Sequence, residues 1–342
     1  MAYINPELEE KFVDSMNKKQ GKKRSKKLVK QTDNKSSKVS YGKFFIVGTV
    51  FLIIIAVVLT GPISDSLTIS HADPTILKLA QDSGMSRKGE LIFLRTHPQL
   101  VTGDVLSESC PNSKDGFILY GCFVPSSSDP TTGQIYLRQM SSDLYPLEVS
   151  TAAYEMLHPV YNSLTQDQST QSNLNKSIES NFTAINDPTI NNNVNEFAKT
   201  EPGARDDELF SLLATLKYDE LDQQLQSYLQ PYFDNPQNAT DDNNQIASLF
   251  QQDENQLTQL NSTIEADNKQ ANTAYYDSVS WANAGNQYED NYNYNIYVQD
   301  LNSENAAIDQ YNSLLDSYNT LINEYNGKSF NPIQNQQSQS AQ

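Results

Sequence analysis

Residues 44–60 read FFIVGTVFLIIIAVVLT, an uncharged apolar run that continues to Ile63 through Gly61 and Pro62. About 17–20 such residues match the length of one membrane-crossing helix. No other feature constrains the chain as much. A signal peptide has a short basic head and an apolar core of about 7–15 residues. Here 43 residues precede a longer run, which favours an uncleaved anchor; a cleaved signal ending near Ser70-His71-Ala72 is the alternative. Charge supplies the orientation. Residues 1–43 hold 12 basic against 5 acidic residues, including KKQGKKRSKKLVK at 18–30, whereas the other 299 hold 12 basic against 37 acidic. The positive-inside rule then predicts a cytoplasmic basic tail at 1–43, a transmembrane helix at 44–63 and an outward-facing body, a single-pass protein of the cell membrane. The basic run reads as an orientation signal that also touches the lipid surface.

The acidic body excludes a general nucleic-acid binder, because phosphate contacts need a basic face. Three His and two Cys exclude a His-rich metal centre and Cys-ligated zinc or iron–sulfur clusters. In an exported segment, Cys110 and Cys122 read as one disulfide closing a small loop, with two separate buried thiols as the alternative.

Beyond the run, residues 73–165 read as a compact mixed segment. Thr75–Ser83 is helix-like, whereas GELIFL at 89–94 and GQIYLR at 133–138 are strand-like. Residues 166–200 are rich in Asn, Ser and Thr and are expected to form a flexible insertion. Leu209, Leu212, Leu213 and Leu216 return to helical spacing. From 241 to 327 a coiled-coil period appears twice, through Ile246, Phe250, Leu257, Leu260, Ile264 and Ala271, then through Leu301, Ile308, Tyr311, Leu315, Tyr318, Ile322 and Tyr325. The Gly/Asn-rich stretch at 280–292 supplies a turn, so an antiparallel hairpin is expected over an extended oligomeric coil. The tail from 328 to 342 is Gln/Ser-rich and expected to be disordered.

One segment carries chemistry. Thr151-Ala152-Ala153-Tyr154-Glu155-Met156-Leu157-His158 approximates the H-E-x-x-H helix of zinc peptidases, in which residues i and i+4 share a face and grip one metal while the Glu activates its water. Glu155 and His158 are kept, and Tyr154 stands in the first His position. With Ser83–Phe93, Cys110, Leu119-Tyr120-Gly121-Cys122-Phe123, Gly133-Gln134-Ile135-Tyr136 and Asp207-Glu208-Leu209-Phe210, the chain over roughly 75–327 resembles a group of single-pass bacterial proteins of zincin-like metallopeptidase type. The resemblance implies that Tyr154, His158 and Glu208 occupy the three metal-ligand positions, a gluzincin-like set, with Glu155 at the general-base position. Tyr154 is a neutral phenol of pKa about 10 and a poor zinc ligand at pH 7. Pro159 interrupts the helix just after His158, and Leu216 replaces the acidic residue usual after Thr215.

The expected fold is α+β and mostly helical: the transmembrane helix, a small degenerate zincin-like domain at 73–235 with a short sheet and an active-site-type helix, and a helical hairpin at 241–327. The expected function is non-catalytic binding or scaffolding at the cell envelope, toward a peptide, protein or cell-wall partner or by self-association through the hairpin. No cofactor is expected, and zinc only if the site functions. Two alternatives stand beside it, an active membrane-anchored zinc metallopeptidase and a structural coiled-coil spacer or adhesin.

Overall fold

The computed structural model describes residues 68–110, 119–200 and 203–327. The chain enters through α1 (Pro74–Asp82), started by Asp73, whose carboxylate accepts from the Thr75 amide at 2.7 Å. Its Ile76, Leu79 and Ala80 are buried. The GELIFL segment is helical, not a strand: it lies within α2 (Arg87–Arg95). The Ser86 hydroxyl caps that helix on the Gly89 amide, and Gly89, Phe93 and Leu94 bury one face. Gly89 is required there, because a Cβ would stand 2.2 Å from the Tyr232 carbonyl oxygen.

Three strands form one small sheet: β1 (Gln99–Val101), β2 (Gly121–Pro125) and β3 (Gly133–Arg138). Their order is β1-β3-β2, with β3 central, parallel to β1 and antiparallel to β2. Between β1 and β2 lies the short α3 (Gly103–Ser109). The Cys110–Cys122 disulfide ties its end to β2 across a Cα–Cα distance of 6.1 Å. As the sequence suggests, β3 leads into the motif helix, α4 (Tyr145–Leu164), after a 3-10 turn at Ser142–Leu144. Ala152, Ala153, Met156, Leu157 and Val160 of α4 are fully buried. This helix is the centre of the core.

Residues 166–200, expected to be a flexible insertion, instead carry two helices, α5 (Gln168–Ile185) and α6 (Pro188–Thr200). Few apolar residues are needed: Leu174 and Ile178, then Ile190 and Val194, bury as i,i+4 pairs. Asp167 caps α5, left-handed Asn186 (φ 46°) ends it, and the Asp187 carboxylate accepts from the Thr189 and Ile190 amides at the start of α6. Then follow α7 (Arg205–Leu216), with Leu209, Phe210 and Leu213 buried, and α8 (Gln223–Leu229).

The hairpin is present, made of α9 (Gln237–Asn283) and α10 (Gln287–Tyr325), 47 and 39 residues long. Its turn falls within the expected Gly/Asn-rich stretch, at Gly285 with φ 74°. Cross-helix hydrogen bonds run antiparallel, Ser278 to Asp290, Asn268 to Glu304 and Tyr318 to Glu254. At the base, Phe250 packs edge-on against Tyr318 and Tyr325. Buried Glu324 accepts from the Ser141 amide, Tyr325 meets the Tyr120 ring at 5.5 Å, and buried Arg138 interacts electrostatically with Tyr120 and Glu324. These contacts hold the end of α10 against the segment between β3 and α4.

The described architecture is therefore mostly helical, with a three-stranded sheet and a long hairpin. The transmembrane part of the expected fold class is corrected: among the described residues no helix is long and apolar enough to cross a membrane. The two longest helices together carry 14 carboxylates and one Lys, a composition that water rather than lipid solvates. The single-pass placement in the cell membrane is corrected on the same finding. The expected span at 44–63, the basic tail at 1–43 and the tail at 328–342 lie outside the described residues.

Candidate functional site

The motif residues meet where α4 crosses the start of α7 and the strand β2. Helical spacing puts Tyr154 and His158 on one face of α4, where their rings lie edge to face at 5.1 Å. The first turn of α7 brings Asp206, Asp207 and Glu208, an acidic start that complements the helix dipole. The Tyr154 hydroxyl donates to Glu208, and His158 Nδ1 bonds to Asp207 at 2.9 Å. All three residues that the resemblance implies as ligands are thus neighbours, together with Glu155.

From the other side β2 closes the site. The Phe123 ring lies nearly parallel to the His158 ring at 6.5 Å, and its main chain hydrogen-bonds to the Glu155 carboxyl. Gly121 permits this approach, because a Cβ there would be 2.8 Å from Thr151 Cγ2 and 3.1 Å from Glu155 Oε1. Glu155 is 3% exposed and His158 8%. Pro159 does not end α4, which runs on to Leu164, although proline cannot donate to the Glu155 carbonyl.

Electrostatics follow from this enclosure. Burial pushes the Tyr154 phenol well above its ordinary range, and the Glu208, Glu155 and Asp207 carboxylates add to the shift. Burial, joined by Glu208 and Asp207, pushes Glu155 up to about 8, against the opposing effect of His158. Its Oε2 has no hydrogen-bond partner among the described residues and stands 3.7 Å from His158 Nε2. Burial would lower the His158 pKa, but Asp207, Glu208 and Glu155 outweigh it and raise it to about 10. Both groups therefore hold their protons more tightly than a free carboxyl or imidazole does.

The Tyr154 oxygen is engaged with Glu208, and among the described residues no group of three His, Cys, Asp or Glu is placed to hold a metal ion. A groove of about 860 Å³ lies elsewhere. That groove lies along the start of α4 and α9, lined by Asp82, Asp143, Tyr145, Val149 and Asp242 among others, and includes none of Tyr154, Glu155, His158 and Glu208.

Two participants are not legible from the motif alone, Asp207 and Phe123. The acidic triplet at 206–208 signals a helix start, but the sequence does not say which carboxylate reaches His158. Phe123 follows Cys122, and its approach depends on the disulfide-linked strand and on Gly121. Comparison with protein-family models, with curated proteins and with solved structures finds no match.

Proposed function

We propose that the protein is a non-catalytic binding or scaffolding protein on a zincin-like metallopeptidase frame, in which the former metal site has become a structural polar cluster. The observation that carries this reading is the hydrogen bond from the Tyr154 hydroxyl to Glu208. In the ligand set implied by the resemblance, both groups would point their oxygens at a metal; here they are directed at each other. What remains for function is the long hairpin, rooted in the domain through Glu324 and Tyr325 and extending as two paired helices. The test is zinc content and peptidase activity of the wild-type chain beside Tyr154→His. The reading requires that wild type bind little zinc and cleave no peptide, and that a second imidazole raise zinc binding. Stoichiometric zinc in wild type, with activity lost in Glu155→Gln, overturns it.

A second reading, an active zinc peptidase, draws on one observation. His158 offers Nδ1 to Asp207, the support a metal-bound His receives from a neighbouring carboxylate. The same zinc measurement separates the two.

A further inference from the structure

Among the described residues nine large hydrophobic side chains are exposed, and eight of them fall between residues 275 and 298. They are Tyr275, Tyr276, Val279 and Trp281 on α9, and Tyr288, Tyr292, Tyr294 and Val298 on α10, on either side of the turn at Gly285. Tyr276 and Tyr288 are 69% and 77% exposed. The rings are contiguous across the two helices: Tyr276 touches Tyr275, Tyr275 touches Tyr297, and Tyr297 touches Tyr294, with centroids 5.4–6.0 Å apart. The Ser278–Asp290 hydrogen bond sets the pairing of the helices at this end. A continuous exposed aromatic patch on an otherwise polar protein marks an interaction surface, and Trp and Tyr are the residues that dominate binding energy when covered.

Charge selects the partner. The two hairpin helices carry 14 acidic residues and a single basic one, Lys269, and between 275 and 298 the only charges are Asp277, Glu289 and Asp290. The hairpin of a second copy, an anionic lipid surface and a nucleic acid would all bring like charge to this end. Elsewhere the chain covers several of its rings with its own cations, Lys78 over Tyr145, Lys88 over Tyr232 and Arg205 over Phe182. At the hairpin tip the rings are there and no basic residue of the tip can cover them. We propose that the tip is a docking surface for a basic polypeptide segment, whose Arg or Lys side chains stack on the exposed tyrosines while the flanking carboxylates neutralise them. This deepens the scaffolding reading above and rests on it.

The test uses the full chain and its own reporter, because Trp281 is the only tryptophan. Trp281 fluorescence is titrated with a nona-arginine peptide at two salt concentrations, beside a Gly/Ser peptide and a neutral β-linked oligosaccharide. The expected result is a saturable change with nona-arginine alone, weakened by salt. Affinity should fall about tenfold in Tyr276→Ser/Tyr288→Ser, whose exposed positions leave the fold unchanged, and also in Asp277→Asn/Glu289→Gln. Equal affinity in the tyrosine variant overturns the proposal, since charge alone would then explain binding. A response to the oligosaccharide but not the peptide makes the tip a glycan platform and overturns it. So does sedimentation showing a dimer that the tyrosine variant abolishes. Zinc content and peptidase activity are read on the same preparations. A failed titration with metal-free, inactive protein rejects the tip alone, whereas zinc-loaded active protein rejects the non-catalytic reading whatever the titration shows.

Discussion

Replacing Tyr154 by Phe removes one hydroxyl and leaves the ring, so it isolates the bond that distinguishes this cluster from a metal site. The hydroxyl donates to a carboxylate, and hydrogen bonds to charged acceptors contribute about 1.5–3 kcal/mol. Glu208 is only partly buried and interacts with further groups, so part of that loss is recovered by water and neighbours. The ring contact with His158 at 5.1 Å survives the change. A net destabilisation of about 1–2 kcal/mol follows, which for a domain of this size is a fall in Tm of about 3–6 °C. The assay is thermal unfolding at pH 7 followed by near-ultraviolet circular dichroism, which reports the packed tyrosines. An unchanged or raised Tm in Tyr154→Phe refutes the reasoning, because the hydroxyl would then have no stabilising partner.

Three further outcomes are expected. In Gly121→Ala the new methyl would stand 2.8 Å from Thr151 Cγ2 and 3.0 Å from Glu155 Cγ, so stability should fall by about 1–3 kcal/mol in urea unfolding; an unchanged midpoint would show that β2 does not approach α4 this closely. Reducing the Cys110–Cys122 bond, which closes a separation of 12 residues, should cost about 2–3 kcal/mol in the chain-entropy account, read as a lowered denaturation midpoint with reductant; equal midpoints would contradict it. Glu148 and Glu155 are raised to about 7 and about 8 and His158 to about 10, so the folded state holds more protons than the unfolded one and these groups' stabilisation declines as pH rises. The carboxyl contribution is complete below about 4.5 and lost by about 8, and that of His158 is complete below about 6.5 and lost by about 10. Urea midpoints from pH 5 to 9 should therefore fall, with a shallower slope at the alkaline end in His158→Gln; a rising trend would contradict the cluster's electrostatics.

What the sequence makes legible here depends on how local the signal is. The hairpin is readable because its apolar period repeats on both sides of a Gly/Asn-rich turn, and Gly285 does adopt the left-handed φ that such a turn needs. The disulfide is readable because the chain has only two cysteines. Helix α2 reads as a strand because Leu91, Ile92 and Phe93 form a short apolar run, which suits either structure; the Ser86 cap and the buried Gly89–Phe93 spacing decide for the helix. Helices α5 and α6 are hidden because their sequences are mostly polar, and capping carboxylates and an Asn in the left-handed region mark their ends. In the cluster, Tyr154 and His158 are brought together by helix spacing alone. Asp207 and Phe123 come from other elements, so only tertiary packing places them. The hairpin tip shows the reverse case: every tyrosine is visible in the sequence, but which ones fill the seam and which face water depends on the pairing of the helices.

The central proposal, that a hydrogen-bonded polar cluster occupies the positions at which the resemblance implies metal ligands, is tested most directly by the zinc stoichiometry of the purified wild-type chain after equilibration with zinc and removal of the excess. The account predicts well under one zinc per chain, unchanged in Glu208→Gln, because Tyr154 and Glu208 already satisfy each other and His158 Nδ1 is bonded to Asp207. One zinc per chain in wild type, lost on either Glu208→Gln or His158→Gln, would contradict it.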